Sequence, residues 1–546
     1  MTMADDTDDK GKLGKNVVNL IDAAQKKQRA KKKQPPPDDT DDGRPVITVA
    51  AGKRPKILDQ ADEVLGKNDG QLFDHVGRMV RLTQPGEVRP TRDVAKVRRQ
   101  ANAIMLHEVT AANLCDRLAR VARWRRWDAR AADYVTCDVP TAVAEGLLAR
   151  SGEWRHIPPL RGFVEAPCLR DDGSVFDVPG YDADSELFFS GTVPDGYTTP
   201  SETHAAASAA VDWIVDLVSD LPFVSVHDKS AFLSGIITAL VRRVLPSAPL
   251  IGITAPTPGT GKSMVADAMS IIATGRRAAV IGLGKDDIEA DKRLTGALLA
   301  GDPVIAIDNI ERPIFGDLIC QTLTQPSIRI RALGRSELAD TPTNTTLIAT
   351  ANNLDVRGDL RRRVMLVRLD AKTERPELRE FTRDFLADVL THRGKLVTAA
   401  LTLVRAYIAS GERAKVTPFG SFEAWSRWCR EPLVWVGLTD PLEASKSLVE
   451  QDPDLKVQKQ LFAAWSRIFG EAPVTVAQLI NTSDGPDQDA EMRGALDVVC
   501  QERISSRRLS YWLRRHRERM LDGLRLESAG EDNHTKADKW RLVQVE

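Results

Sequence analysis

The chain has 546 residues, of which 42% are apolar and 28% charged, and its formal net charge at pH 7 is −1. That length asks for roughly three or four domains, and the balance is that of a globular protein without an overall basic excess to announce nucleic acid. No apolar run approaches the roughly 20 residues that span a bilayer, and the six cysteines include no CxxC pair, which argues against a membrane protein, a disulfide framework or a zinc ribbon.

The opening MTMADDTDDKGK lacks the basic-then-apolar order of a secretory leader, so a cytoplasmic, reducing setting is expected. Residues 1–44 read as a disordered tail with room for a short helix over Val17–Ala24. KKQRAKKK at 26–33, the run Pro35–Pro37 and the acidic DDTDD offer too little apolar surface to offset ordering entropy. The lysine run is either a solvated tail or a contact to DNA phosphates.

Residues 45–200 are expected to form an N-terminal α/β domain. VITVAAG opens as a strand, QLFDHVGRMVRLT as strand, turn and strand, and the stretch from Val94 to Trp127 as helical. Within it Trp124, Arg125, Arg126 and Trp127 admit base stacking or, at helical spacing, a core anchor. LRGFVEAPCLRDDGSVFDVPGYDADSELFF alternates short apolar runs with turn residues, a β-meander signature. Helix and strand then alternate through 201–385, helix signals of a lid or linker fill 386–472, and a small basic module occupies 473–546.

PLIGITAPTPGTGKSMVADAMSIIATG is the most informative segment. A β-rich run, a glycine loop and an amphipathic helix follow one another, the context that a phosphate-binding loop requires. Gly259 and Gly261 let backbone N–H groups turn inward around a phosphate, and the helix start adds unsatisfied donors and partial positive charge. Pro258, Gly259, Thr260, Gly261, Lys262, Ser263 and Met264 are the expected nucleotide contacts, with Lys262 bridging the β- and γ-phosphates of ATP and Ser263 giving its hydroxyl to Mg²⁺. Pro256 stands where the GxxxxGK[ST] template has its first glycine, a turn position that tolerates φ near −65°.

GDPVIAIDNIE supplies the second element. Val304–Ile307 reads as a buried strand with Asp308 at its C-terminal edge, where open α/β sheets bind ligands, so Asp308 is expected to hold Mg²⁺ through water. Related ATPases commonly place Glu next, to polarise the attacking water; here the residue is Asn309. Two readings stand: Glu311 serves as the base, or hydrolysis is slow and Asn309 only orients the water.

TTLIATANN is a further apolar strand ending in amides, and GDLRRRV follows at Gly358–Val364. Glycine loop, DN, ATANN and the arginine run, in this order, resemble the Walker A, Walker B, sensor 1 and arginine-finger succession of AAA+ ATPases. The resemblance implies Asn352 as sensor 1, with Asn353 as runner-up, and Arg362 and Arg363 as the finger acting on a neighbouring subunit of a ring or filament. Residues 205–385 look like the ATPase modules of primase–helicase proteins of phages and integrative elements, related loosely to superfamily 3 helicases. No primase active site is recognisable. In SIRIRALGRSELADTPTN, Ile328 and Ile330 alternate with Arg329 and Arg331 before Gly334, so a β-hairpin is expected. By the same resemblance it would enter a central pore with Arg335 near its tip; the plainer alternative is a strand pair on the sheet edge.

The C-terminal segment reads as three helices and a β-ribbon. Leu509, Trp512, Leu513, His516 and Met520 mark one face of the third helix, and Arg514, Arg515 and Arg519 fall elsewhere, toward DNA phosphates, with Lys536 or Lys539 helping from the ribbon. Such a module serves DNA or subunit packing. The expected whole is α/β: a P-loop, AAA+-like parallel-sheet ATPase core flanked by an N-terminal α/β domain, a helical lid region and a C-terminal winged-helix-like module. It implies an ATP- and Mg²⁺-dependent, ring-forming homo-oligomer acting on single-stranded or forked DNA, or else a nucleotide-gated DNA-binding loader or regulator that unwinds nothing.

Overall fold

The computed structural model describes residues 42–83, 104–331, 338–379, 384–450, 453–483, 489–500 and 503–545. The short helix expected over Val17–Ala24, the lysine run at 26–33 and Arg335 lie outside them. The chain divides into two compact units: one runs to Leu72 and resumes over Val109–Ile157, and the other joins Phe73–Glu108 to everything from Pro158 onward.

In the first unit β1 (Val46–Val49) lies parallel to β2 (Arg123–Asp128), and β3 (Asp133–Thr136) returns antiparallel beside β2. Helices α1 (Arg54–Asn68), α2 (Ala111–Val121) and α3 (Thr141–Leu148) complete it. Thr110 starts α2 by accepting the Asn113 N–H on its side chain. The helical reading of Val94–Trp127 is corrected: among the described residues it holds one helix, α2, between the strand Met105–Glu108 and β2. Trp124 and Trp127 would share a helix face, but a strand's two-residue repeat sends them to opposite sides. Trp124 is 3% exposed and Trp127 is 54% exposed, and the Trp124 indole N–H donates to the Leu118 carbonyl at 3.1 Å.

The second unit is organised by a parallel sheet. In chain order it contains β4 (Leu250–Ala255), α4 (Lys262–Thr274), β5 (Ala279–Ile281), α5 (Asp287–Leu299), β6 (Val304–Ile310), α6 (Asp317–Thr324), the hairpin β7 (Ser327–Arg331) and β8 (Leu338–Pro342), β9 (Thr346–Asn352) and β10 (Val364–Arg368). The spatial order is β5-β6-β9-β4-β10, with every pair parallel. Leu250–Ile253 and Val304–Ile307 are buried continuously rather than alternately, because helices cover both faces of such a sheet. The chain leaves β4 for the far edge and later fills the gap with β6 and β9. All C-terminal strand ends therefore open on one side, and the crevice there is the ligand side of an open α/β sheet.

The hairpin forms as its alternation predicts: Ile328 and Ile330 are buried, while Arg329 faces out and pairs with Asp340 at 3.0 Å. Its exit turn is fixed by two buried arginines. Arg242 donates to the carbonyls of Thr343 (2.6 Å) and Thr345 (3.1 Å), and Arg243 to the carbonyl and side-chain oxygens of Asn344 at 3.1 and 2.7 Å. Burial pushes these guanidiniums down to about 9 and about 10; the carbonyl dipoles offset the cost of holding them inside.

The β-meander reading is also corrected. Cys168–Leu169 pairs antiparallel with Val175–Phe176, and Gly180–Asp182 with Leu187–Phe189, but Leu187–Phe189 then lies parallel to Gly162–Val164. Two hairpin pairings do join consecutive strands, but Gly162–Val164 takes as its neighbour the last strand of the stretch instead of the next one, which a meander does not do.

The stretch 386–472 divides between cores. Helix Arg393–Ser410 buries Leu396, Val397 and Leu403 in the main core, whereas α7 (Pro453–Phe469) places Leu461, Phe462 and Trp465 in a separate cluster with Leu496, Leu509, Leu513 and Trp540. This C-terminal part holds β11 (Val474–Thr475), α8 (Val476–Asn481), α9 (Ala490–Val499), α10 (Ser506–Arg515), β12 (Met520–Leu521), β13 (Leu524–Glu531) and β14 (Asp538–Gln544), with an antiparallel order β11-β14-β13-β12. A reciprocal capping pair, Thr475 with Gln478, starts α8. Helix α10 is shorter than its apolar spacing suggests. The His516 ring stacks on Trp512 with centroids 4.0 Å apart and its Nδ1 meets the Trp512 carbonyl at 2.8 Å, closing the helix. Arg519 and Met520 consequently lie beyond it, and Met520 is exposed at the start of β12. No helix among the described residues is long and apolar enough to cross a membrane.

Candidate functional site

The loop between β4 and α4 depends on its two glycines. Gly259 and Gly261 have φ of +75° and +101°, left-handed conformations that a side chain disfavours. Thr260 is buried between them and its hydroxyl donates to the Thr257 carbonyl at 2.7 Å, cinching the loop from inside. Pro256 and Pro258 sit exposed on its outer surface. Helix α4 starts at Lys262, so its first N–H groups face the concavity.

Three strands deliver their ends to this loop. Ala255, the last residue of β4, is in register with Asn352, the last of β9. The Lys262 Nζ donates to Asn352 Oδ1 at 2.6 Å and to the Thr257 carbonyl at 3.3 Å. Burial lowers the Lys262 pKa, with the Asp308 carboxylate working against that shift. From β6, Asp308 Oδ1 accepts the Ser263 hydroxyl at 3.1 Å and also the Thr350 hydroxyl.

The position of Asp308 comes from a break in the ladder. Ile307 pairs with Ala349 and Ile310 with Ala351, so Asp308 and Asn309 together oppose Thr350, a β-bulge that re-aims side chains at the strand's end. Asn309 has φ of +53°, a conformation that Asn adopts more readily than Glu. Its N–H donates to Thr350 Oγ1 at 3.3 Å and its side-chain amide to Glu311 Oε1 at 3.1 Å. The left-handed backbone at the bulge suits an asparagine at 309 better than a glutamate, and Asn309 tethers the exposed Glu311 carboxylate.

Asn353 also has positive φ (+49°), and its N–H is spent on the Ala255 carbonyl at 3.0 Å; the lysine contact belongs to Asn352. Thr350 escaped the sequence reading. The signal was there: after the apolar run Leu347–Ala349, Thr350 and Asn352 are polar at i and i+2 and therefore share a face.

Arg362 and Arg363 end a short 3₁₀ turn, Gly358–Arg363, just before β10. Both bond Asp359, Arg363 at 2.7 Å. The side chain of Arg362 is 68% exposed and that of Arg363 is 16% exposed. Arg363 also faces the Cys320 thiol, whose pKa burial raises and Arg363 opposes.

No protein-family model matches this chain, and neither does any curated protein. Among solved structures it is similar to an apo form of the NrS-1 C-terminal region, at 12% identity over 79% of this chain and 98% of that one, with a TM-score of 0.37. An SCCmec type IV Cch described as an active helicase is 13% identical over 81% of this chain and 88% of its own, with a TM-score of 0.33. The JCV helicase is 12% identical over 46% of this chain and 73% of that one, with a TM-score of 0.20.

The donor set decides what the crevice can hold. A loop with two left-handed glycines, a lysine and a helix start make an arrangement that suits an anion. Ser263 and Asp308 offer a hydroxyl and a carboxylate oxygen, hard donors that suit Mg²⁺ when water and phosphate oxygens supply the remaining positions. Among the described residues no group of three or more His, Cys, Asp or Glu could hold a metal by itself.

At the C-terminus, Arg514 pairs with Asp538 at 2.7 Å while remaining largely exposed, and Arg515 and Arg519 are exposed. Lys539 pairs with Asp532 at 2.9 Å.

Proposed function

We propose that the chain is a Mg²⁺-dependent ATPase of the helicase type that acts on DNA as a multimer. The observation that carries this reading is the convergence on one loop: Lys262 meets Asn352 at 2.6 Å while Ser263 meets Asp308 at 3.1 Å. In the proposed site Pro258–Met264 wrap the triphosphate, and Lys262 leaves its resting partner to bridge the β- and γ-phosphates. Ser263 and Asp308 hold Mg²⁺, Asn352 senses the γ-phosphate, and Glu311, presented by Asn309, takes the proton from water. Arg362, the exposed member of its pair, reaches a neighbour's nucleotide.

Two further features support a DNA-acting motor. The β7–β8 hairpin leads through a pinned turn straight into β9, the strand that ends at Asn352, so a shift at the nucleotide has a short, stiff route to the hairpin. The three helices and sheet of the C-terminal part have the make-up of a winged helix, with Arg515 free to meet phosphates. The AAA+ and primase–helicase resemblance, with a phage or mobile-element setting, belongs to this proposal.

A second reading is favoured by Asn309: without a carboxylate directly after Asp308, the chain would hydrolyse slowly and act as a nucleotide-gated DNA-binding switch. ATP turnover with and without single-stranded DNA, particle mass under ATP and unwinding of a forked duplex separate the two. DNA-stimulated turnover with unwinding by a large assembly is expected. Slow turnover without unwinding selects the switch, and turnover unchanged in folded Lys262→Ala removes both.

A further inference from the structure

We propose that the uncovered face of β1, β2 and β3 in the first unit binds single-stranded DNA, with Trp127 and Tyr134 stacking on bases and Arg125 taking phosphate. The inference rests on the proposed function only for the choice of DNA over other single strands.

Strand alternation divides this sheet into two unlike faces. Ile47 and Trp124 point to the buried side. By the pairing register, Val46, Thr48, Arg123, Arg125, Trp127, Tyr134 and Thr136 share the other side. There Trp127 is 54% and Tyr134 47% exposed, and Val46, at the Arg123 end of the same face, is exposed as well. Trp127 and Tyr134 are direct cross-strand partners, their rings set edge to face with centroids 5.2 Å apart. The Arg125 guanidinium lies over the Tyr134 ring, 4.8 Å from its centroid, and is steadied by a 3.0 Å bond from its Nε to Thr48 Oγ1.

A cross-strand aromatic pair also steadies a hairpin through the contact between its two rings, a role that leaves their outward surfaces open to a further stacking partner. These two keep about half their surface in water. Charge favours one occupant. Asp128 and Asp133 pair with each other across the strands and by alternation lie on the opposite face, so the strands' own contribution to the open face is cationic. Asp42 approaches Arg123 at 3.7 Å at its margin. Rings with an adjoining guanidinium, on a face to which the described residues of the three strands add no carboxylate, suit an unpaired nucleotide strand, whose every base has a stackable face and whose backbone is anionic. A duplex keeps its bases stacked on each other and cannot use the rings.

The test uses the full chain with a fluorescein-labelled oligo-dT of about 15 nucleotides, within the range that such sites cover. Trp127→Ala and Tyr134→Ala should each weaken binding roughly tenfold, whereas Trp127→Phe, which keeps a stacking ring, should stay within about twofold. A bromodeoxyuridine oligonucleotide should cross-link to the wild-type chain within residues 123–136. Unchanged affinity in the folded double alanine variant, or cross-links confined to other segments, would overturn the proposal; so would tighter binding of an oligo-U of the same length. The nucleotide site is judged separately by the turnover of Lys262→Ala, so either idea can fail alone.

Discussion

Lys262 and Asn352 meet at 2.6 Å between the glycine loop and the end of β9, so the loop's cation is already tied to the strand that the hairpin feeds. If Asn352 contacts the γ-phosphate or the lytic water in the reacting state, Asn352→Ala should lower kcat about a hundredfold, the usual cost of one preorganised donor. ATP affinity should change only severalfold. Asn353→Ala is the control, because its backbone N–H, not its side chain, makes the bond to Ala255. Steady-state kinetics with separate nucleotide-binding measurements check this, and equal losses in the two variants would reject the role.

The same lysine gives a pH dependence with a definite sign. Burial lowers its pKa in the free chain, so its charge is lost at a lower pH than an ordinary lysine's. An incoming triphosphate favours the charged form and raises that pKa again. ATP binding should therefore take up protons on the alkaline side, and affinity should fall as pH rises through the lowered value. Calorimetry on the alkaline side of neutrality, in buffers of different ionisation enthalpy, reads the uptake directly. Lys262→Arg, charged throughout that range, should show none; equal uptake in both would assign the proton to another group.

Glu311 and Asn309 can be told apart from the bulge geometry. Glu311→Gln should lower kcat by a hundredfold or more if that carboxylate is the base, leaving nucleotide binding intact. Asn309→Glu places an acceptor directly after Asp308 but must occupy a left-handed backbone, at a cost of roughly 1–2 kcal/mol. It should lower thermal stability and restore part of the turnover lost in Glu311→Gln. A Glu311→Gln chain as active as wild type would leave slow, base-free hydrolysis as the better description.

These consequences show what the sequence made legible and what it did not. That the glycine loop, Asp308 and Asn352 come together could be read because strand–loop–helix and apolar-strand-then-acid are local patterns, each written in one short stretch of chain. The bulge was not legible: it exists only when β6 is laid beside β9, and with it come the left-handed Asn309 and the partnership with Thr350. The helical placement of Trp124 and Trp127 failed for a related reason, since an odd spacing is one-sided on a helix and two-sided on a strand, and pairing with β1 settles which. The early end of α10 follows from the stacking of His516 on Trp512, a contact that apolar spacing does not anticipate.

Arg362 and Arg363 share Asp359 but differ in exposure, 68% against 16%. In the proposed multimer the more exposed one can reach another subunit by giving up its bond to Asp359, while the other braces the turn against Asp359 and Cys320. Arg362→Ala should therefore abolish turnover in the assembly with little loss of stability, and Arg363→Ala should destabilise. If the arginine works in trans, mixing Arg362→Ala with Lys262→Ala chains should recover a fraction of wild-type turnover, because some interfaces then pair an intact loop with an intact arginine. Absence of recovery in mixed assemblies of verified stoichiometry would place the arginine in its own subunit's site or outside the mechanism.

Arg515 and Arg514 make a comparable contrast for DNA. Arg514 is bonded to Asp538 at 2.7 Å, so contacting a phosphate requires giving up that pair, whereas Arg515 at the end of α10 is exposed. For a phosphate contact, Arg515→Ala should weaken duplex binding similarly across sequences and reduce the slope of log affinity against log salt by about one. Arg514→Ala should do less, because the arginine it removes is already partly neutralised. If Arg515→Ala leaves both affinity and salt slope unchanged but lowers the assembled mass under ATP, this helix serves subunit packing instead, and DNA must be held elsewhere in the chain.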